Sequence, residues 1–296
     1  MVTVPAAQTV TSPWAAHRRR GEALRGRHPH AAQLLTLYLA LLDAWEQAWR
    51  RARADLSEPA GPAELAGWAA AHAVPPVVAA TVQHGPEPLA SAVSDLPAAE
   101  LLAGWLAGEE LPPVERYLAR AALRGPLEVV DAGAACARDP ASRGGRHCPA
   151  CGGPPQLSFR SNPDDAAKPT ASLASLDRSD ALVSGRRQLA CARCGHGWAY
   201  TSNTCAACGE TAGGKRTVFA EHRDGPVVGR GSELSTLLFP HLRIEACDSC
   251  TQYLIDIDLG VDARAVPEVD ELTAVPLDLF AAERGLRKVA PNLMGF

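Results

Sequence analysis

The chain has 296 residues, 47% of them hydrophobic, and a formal net charge of -4 at neutral pH. That length and apolar content exclude disorder throughout and leave room for two or three domains with cores of their own. The net acidity, with no domain-wide basic footprint, speaks against a protein built to bind nucleic acid.

The first stretch that needs a decision is "RRRGEALRGRHPHAAQLLTLYLALL", where arginines precede an apolar run as they do in export signals. The run continues after Leu42 as "DAWEQAWRRAR" with no small-residue cleavage site, and Leu34, Tyr38, Leu41, Leu42, Trp45 and Trp49 follow helical spacing. An amphipathic core helix is therefore expected, with the basic stretch His17 to His28 as a solvated end. No run reaches the roughly 18 to 20 uninterrupted apolar residues that a membrane span needs, so no membrane insertion is expected.

Residues 1–145 read as a helical domain ending in a linker, because they are rich in Ala and Leu and poor in β-branched runs. Pro62 opens one helix, Ser94 and Asp95 precede another, and Pro113 opens a third whose Gly125 stands where a C-terminal cap belongs. Trp45, Trp49, Trp68 and Trp105 lie on these helices and are assigned to packing. No nucleophile with its base, phosphate loop or dinucleotide fingerprint is present, so no catalytic residues are assigned and a non-enzyme is expected. The linker "DAGAACARDPASRGGR" contains Cys136, a cysteine without a near neighbour, which is read as a small buried residue with no assigned role.

From His147 onward the character changes to short strands, "QLSFR", "RRQLA", "WAYT", "RTVFA" and "YLIDIDL", set between glycines, prolines and cysteines. The polar stretch Ser161 to Leu182 between them reads as a surface excursion. Beyond Leu259, Pro276 opens a short tail helix that Gly285 stops. The expected division is thus 1–145, 146–202, 203–260 and 261–296, an α+β chain with a helical N-terminal domain, two small tandem modules and a tail.

Eight of the nine cysteines form four Cys-x-x-Cys pairs, Cys148/Cys151, Cys191/Cys194, Cys205/Cys208 and Cys247/Cys250. Such pairs place two thiolates on one ion because the chain turns tightly between them, and a following glycine allows the positive φ that the turn wants. Three pairs have that glycine, and the fourth has Thr251. Four thiolates suit zinc or mononuclear iron, and free thiolates suit a reducing, cytoplasmic setting.

The pairs can be joined in more than one way. A compact site from Cys191, Cys194, Cys205 and Cys208 would leave the outer pairs to meet across a long loop, at an entropic cost that grows only logarithmically. Internal similarity favours another pairing. Nearly equal separations divide Cys151 from Cys191 and Cys208 from Cys247, and "GRRQLACARCGHGWAY" matches "PHLRIEACDSCTQYLI" in form. Tandem sites are therefore expected, one from Cys148, Cys151, Cys191 and Cys194 and one from Cys205, Cys208, Cys247 and Cys250. His147, His196, His222 and His241 are then expected to face solvent.

The motifs "CPACGGPPQLS", "LACARCGHGWAY", "CAACGE", "EACDSCTQYL" and "DELTAVPLDLFAAERGLRKVAPN", taken in this order, resemble the FdhE family of formate dehydrogenase accessory proteins. The resemblance covers roughly residues 146–296. It implies a cytoplasmic maturation factor with two rubredoxin-like modules, each holding an iron, that associates with the catalytic subunit of formate dehydrogenase. Rival readings are a zinc-ribbon nucleic-acid-binding protein, disfavoured by Asp248, Asp256 and Asp258 near the last pair, and a rubredoxin-type electron carrier, for which the helical domain is superfluous.

Overall fold

A computed structural model describes residues 12–56, 61–136, 145–161, 186–221 and 237–296. Most of the polar excursion after Ser161, much of the linker, and His222 lie outside these residues.

The N-terminal half is helical, with α1 (Ala15–Arg27), α2 (Ala32–Asp55), α3 (Pro62–His72), α4 (Val74–His84), α5 (Glu87–Val93), α6 (Ala98–Ala107), α7 (Pro113–Arg124) and the single turn α8 (Ala132–Ala135). Prolines stand in the first turns of α3, α4, α5 and α7, where a missing N–H costs no hydrogen bond. α2 buries Leu35, Tyr38, Leu41, Leu42, Trp45 and Trp49 against neighbouring helices, and its Trp45 Nε1 donates to the Ala121 carbonyl of α7 at 2.8 Å. Trp14, which the spacing of the helix did not single out, is fully buried beside Trp45 and Trp49. Gly125 is no left-handed cap: its φ is -67°, and a Cβ there would lie 2.7 Å from the Trp45 carbonyl oxygen, so glycine lets α7 close on α2.

The basic stretch of α1 is solvated only in part, since Arg19, Arg25 and Arg27 are exposed while other members turn inward. His17 and Arg20 are buried, and Arg20 reaches across the chain to Asp262 at 2.8 Å and to both carboxylate oxygens of Asp270. Burying that guanidinium is tolerable only because its fork is filled by carboxylates.

The second half forms one sheet from β1 (Pro155–Ser161), β2 (Arg186–Cys191), β3 (Gly197–Ala199), β4 (Arg216–Ala220), β5 (Leu242–Cys247), β6 (Gln252–Asp258) and the short β7 (Arg287–Lys288). Its order is β3-β2-β1-β6-β5-β4, with β7 beside β6. Each half of that order is a three-stranded antiparallel unit, and the two units meet through the parallel pairing of β1 with β6, Phe159 opposite Ile257. The repeated sequence therefore builds two copies of one ribbon set side by side in the same direction, sharing a continuous sheet.

Alternation sorts the sheet's two faces. Leu157, Phe159, Ile244, Ala246, Tyr253, Ile255 and Ile257 pack with Ala281, Leu277 and Phe280 of α10 (Val275–Glu283). The opposite face carries Ser158, Arg160, Arg187, Arg243, Glu245 and Asp256. The tail also contains the turn α9 (Pro267–Asp270), which lies against α1.

Candidate metal centres

Each cysteine pair sits in the same backbone turn. The amide of the residue after the second cysteine donates to the carbonyl of the first: Gly152 to Cys148 at 2.8 Å, Gly195 to Cys191 at 3.1 Å, Gly209 to Cys205 at 3.0 Å and Thr251 to Cys247 at 2.8 Å. The turn requires a positive φ at that residue, and all four have one, between 56° and 85°. Thr251 is the non-glycine residue with positive φ among the described residues, so the fourth turn carries a strain that the glycines avoid.

Strand ends bring the turns together in pairs. Cys191 ends β2 and Cys247 ends β5, while the other half of each group precedes β1 or β4. The structure gathers Cys148, Cys151, Cys191 and Cys194 in one group and Cys205, Cys208, Cys247 and Cys250 in another, with all sulfurs of a group within 4.8 Å of one another. Sγ atoms lie 3.7 Å apart for Cys148 and Cys194, 3.4 Å for Cys151 and Cys191, 3.9 Å for Cys205 and Cys250, and 3.8 Å for Cys208 and Cys247. Four sulfurs at the usual metal–thiolate length of about 2.3 Å around a tetrahedral ion are separated by about 3.8 Å. The donor sets fit such an ion, and all nine cysteines are free of disulfides.

The surroundings of the groups differ. All four cysteines of the first are buried, at 5% exposure or less, among Trp105, Leu123, Leu127 and Ala135 of the helical half. Arg193, inside the second turn, donates its amide to Cys191 Sγ at 3.3 Å and lays its guanidinium 4.6 Å from the centre of the Trp105 ring. Arg124 of α7 packs on Gly195 so tightly that a Cβ would lie 2.9 Å from its Cζ. Cys136 is buried too, in the same apolar cluster as the first group. A cleft of about 880 Å³ beside this group is walled by Trp49, Arg53, Leu127, Asp131, Cys194 and His196. In the second group Cys208 is exposed and Cys250 half-buried.

Of the histidines expected to face solvent, His241 does not. It is buried with Nε2 2.6 Å from Asp270 Oδ1, where a strand edge meets the tail. His147 and His196 are half-buried, and neither joins a cysteine group. Burial lowers the pKa of His196, against the raising influence of Cys191. Spacing could not find Arg193, Arg124 or Trp105, although an arginine between the two ligands of "CARCG" was the available hint.

These features define an α+β protein with a helical N-terminal part and two tandem, zinc-ribbon-like modules, each assembled around four cysteines. No protein-family model matches the chain. It is 30% identical over 150 residues to a protein named FdhE homolog from Aquifex aeolicus, covering 51% of this chain and 42% of that protein. Over 147 residues it is 29% identical to the FdhE homolog of Pseudomonas putida, covering 50% and 37%. The match thus spans about two fifths of the length of these curated relatives. The crystal structure of the FdhE protein from Pseudomonas aeruginosa superposes with a TM-score of 0.59 at 21% identity, over 97% of both chains. The resemblance to the FdhE family expected from the cysteine motifs is borne out in sequence and in fold.

Proposed function

We propose that the chain is an accessory factor for the maturation of formate dehydrogenase, acting by association with the catalytic subunit of that enzyme rather than by catalysis of its own. The observation that carries the reading is the pair of tetrahedrally spaced thiol groups, in a chain that is similar to FdhE homologues over about half of its length. Cys148, Cys151, Cys191 and Cys194 hold one ion, and Cys205, Cys208, Cys247 and Cys250 hold the other. Iron in such a ligand set supplies one-electron chemistry, whereas zinc supplies only structure. The protein's own part is to fix the thiol groups, through hydrogen-bonded turns and a shared sheet, at fixed places relative to the helical half. A cytoplasmic setting follows from the need to keep eight ligand thiols reduced. Among the described residues no single helix is long and apolar enough to cross a membrane.

Two measurements test this. Deletion of the gene is expected to abolish formate oxidation, and a tagged chain is expected to co-purify the catalytic subunit; normal activity together with no co-purification removes the reading. Metal analysis and an absorption spectrum of protein purified without oxygen separate iron from zinc, since colourless, zinc-only protein rules out a redox role.

A further inference from the structure

We infer that the two thiol groups do different work: the first holds a locked ion that ties the helical half to the sheet, and the second is the exchangeable site, open to metal acceptors and partners. The inference rests on the metal-binding reading above and goes beyond it.

Three independent features point the same way. The first is access. Exchange from a tetrathiolate site requires an incoming ligand or proton to reach a bound sulfur. In the first group the cysteines are exposed by 0%, 0%, 2% and 5%, and the cleft alongside reaches Cys194. In the second group Cys208 is exposed and Cys250 half-buried, so two of the four cysteines are open to solvent at least in part.

The second feature is what each group packs against. Cys148, Cys151, Cys191 and Cys194 belong to the same apolar cluster as Ala48 of α2, Leu65 of α3, Trp105 of α6, and Leu123 of α7. Opening that site means separating the helical half from the sheet. Arg193 reinforces the seal: it is buried over Trp105, with Nε and Nη1 lacking any hydrogen-bond partner, a cation held beside the sulfurs and away from water. None of Cys205, Cys208, Cys247 and Cys250 belongs to an apolar cluster of the described residues.

The third feature is backbone strain. Both turns of the first group end in glycines at φ of 70° and 72°, whereas the second group has Gly209 at 85° and Thr251 at 56°. A β-branched residue held in the left-handed region favours release of its turn. Burial, interlocking and relaxed turns thus coincide at one site, and exposure and strain at the other.

The test uses the full chain loaded with Zn²⁺ and challenged with a chromophoric chelator in the presence of N-ethylmaleimide, with the alkylated cysteines mapped by mass spectrometry. Two kinetic phases are expected, one ion each, with rates separated by about 10-fold or more, the scale on which the surroundings of a metal alter its retention. Cys208 and Cys250 are expected to be alkylated in the fast phase, while near-ultraviolet circular dichroism from the helical tryptophans changes only in the slow phase. A single phase, alkylation of Cys148 or Cys191 in the fast phase, or loss of the tryptophan signal with the first ion overturns the inference while leaving metal binding intact. Failure to bind two Zn²⁺ ions with reduced thiols instead overturns the metal-binding reading, and the inference falls with it. Wild-type protein suffices for each arm, so no outcome depends on whether a cysteine variant folds.

Discussion

Arg187 of β2 and Glu245 of β5 form an ion pair at 2.7 Å across the two strands that lie between them in the sheet. The pair crosses the seam between the two modules. Glu245 also receives Arg160 of β1 and Arg216 of β4, each at 3.0 Å, while the fully buried Asp256 of β6 takes Ser158 at 2.6 Å, Arg243 at 2.5 Å and Arg160 at 3.2 Å. Parallel pairing of β1 with β6 spans only Ser158 to Arg160, and this charged layer ties the two modules together on one face of the sheet while the apolar cluster joins them on the other.

Replacing Glu245 by Gln keeps the shape of the side chain and leaves three guanidiniums without their shared carboxylate. A loss of about 3–5 kcal/mol in unfolding free energy is expected, because removing one partner of a buried network strands the others. Urea titration followed by far-ultraviolet circular dichroism measures it, and a loss below about 1 kcal/mol, the scale of an exposed pair, would mean that the seam does not depend on charge.

Substitution of Thr251 by Gly relieves a positive φ of 56°. A gain of about 1 kcal/mol is expected, since the strain of a β-branched residue in that region outweighs the added freedom of glycine in the unfolded chain. Gly195→Ala is expected to act oppositely, losing about 2 kcal/mol, because it combines strain at φ 72° with contact against Arg124. Thermal unfolding of the metal-loaded protein compares the two.

Asp270 joins the helical half to the tail through Arg20 and to the sheet through His241. Its Asn variant is expected to lose about 3–5 kcal/mol, with Arg20 left facing a neutral amide. A double variant that also converts Arg20 to Met is expected to recover part of that loss, and absence of any recovery would show that the pair is not coupled.

Acid sensitivity follows from two groups. Burial opposes the charge of Asp270, yet the hydrogen bonds from His241 and Arg20 and the positive charge of Arg20 outweigh it and hold its pKa below the ordinary carboxylate value. Its contribution is complete above the unfolded value of about 3.9 and is lost as pH falls through the lower folded value. His28, held neutral by burial and by the nearby His30, has its pKa lowered, so the unfolded chain takes up its proton first. Stability is therefore expected to decline already as pH falls below about 6.5, by up to about 1.4 kcal/mol per pH unit. Replacing His28 with Gln should flatten that limb of the stability curve, and an unchanged slope between pH 6.5 and 5 would assign it to other groups.

The helices with proline starts, the strands flanking the cysteines and the four turns were legible because each depends on residues close in sequence. Proline at a first turn, glycine after a second cysteine and alternation in "YLIDIDL" are local constraints. Gly125 shows the limit. Its place at the end of α7 suggested a cap, but its use is a close approach to Trp45, a residue far away in the chain. His241 and Arg20 misled in the same way, since a polar residue is read as exposed unless its distant carboxylate is known.

By itself the sequence determined the turns that present eight thiols in pairs, and the repeat that makes two similar ribbons, because backbone geometry and hydrogen bonding within a few residues do not depend on the rest of the fold. Only the tertiary structure decided that the ribbons share one sheet through β1 and β6, that Arg187 and Glu245 meet across the seam, and that one thiol group lies sealed beneath the helices while Cys208 of the other faces water. Those outcomes depend on burial and on pairing between distant residues, and burial is a property of how the surfaces cover one another, which no local pattern encodes.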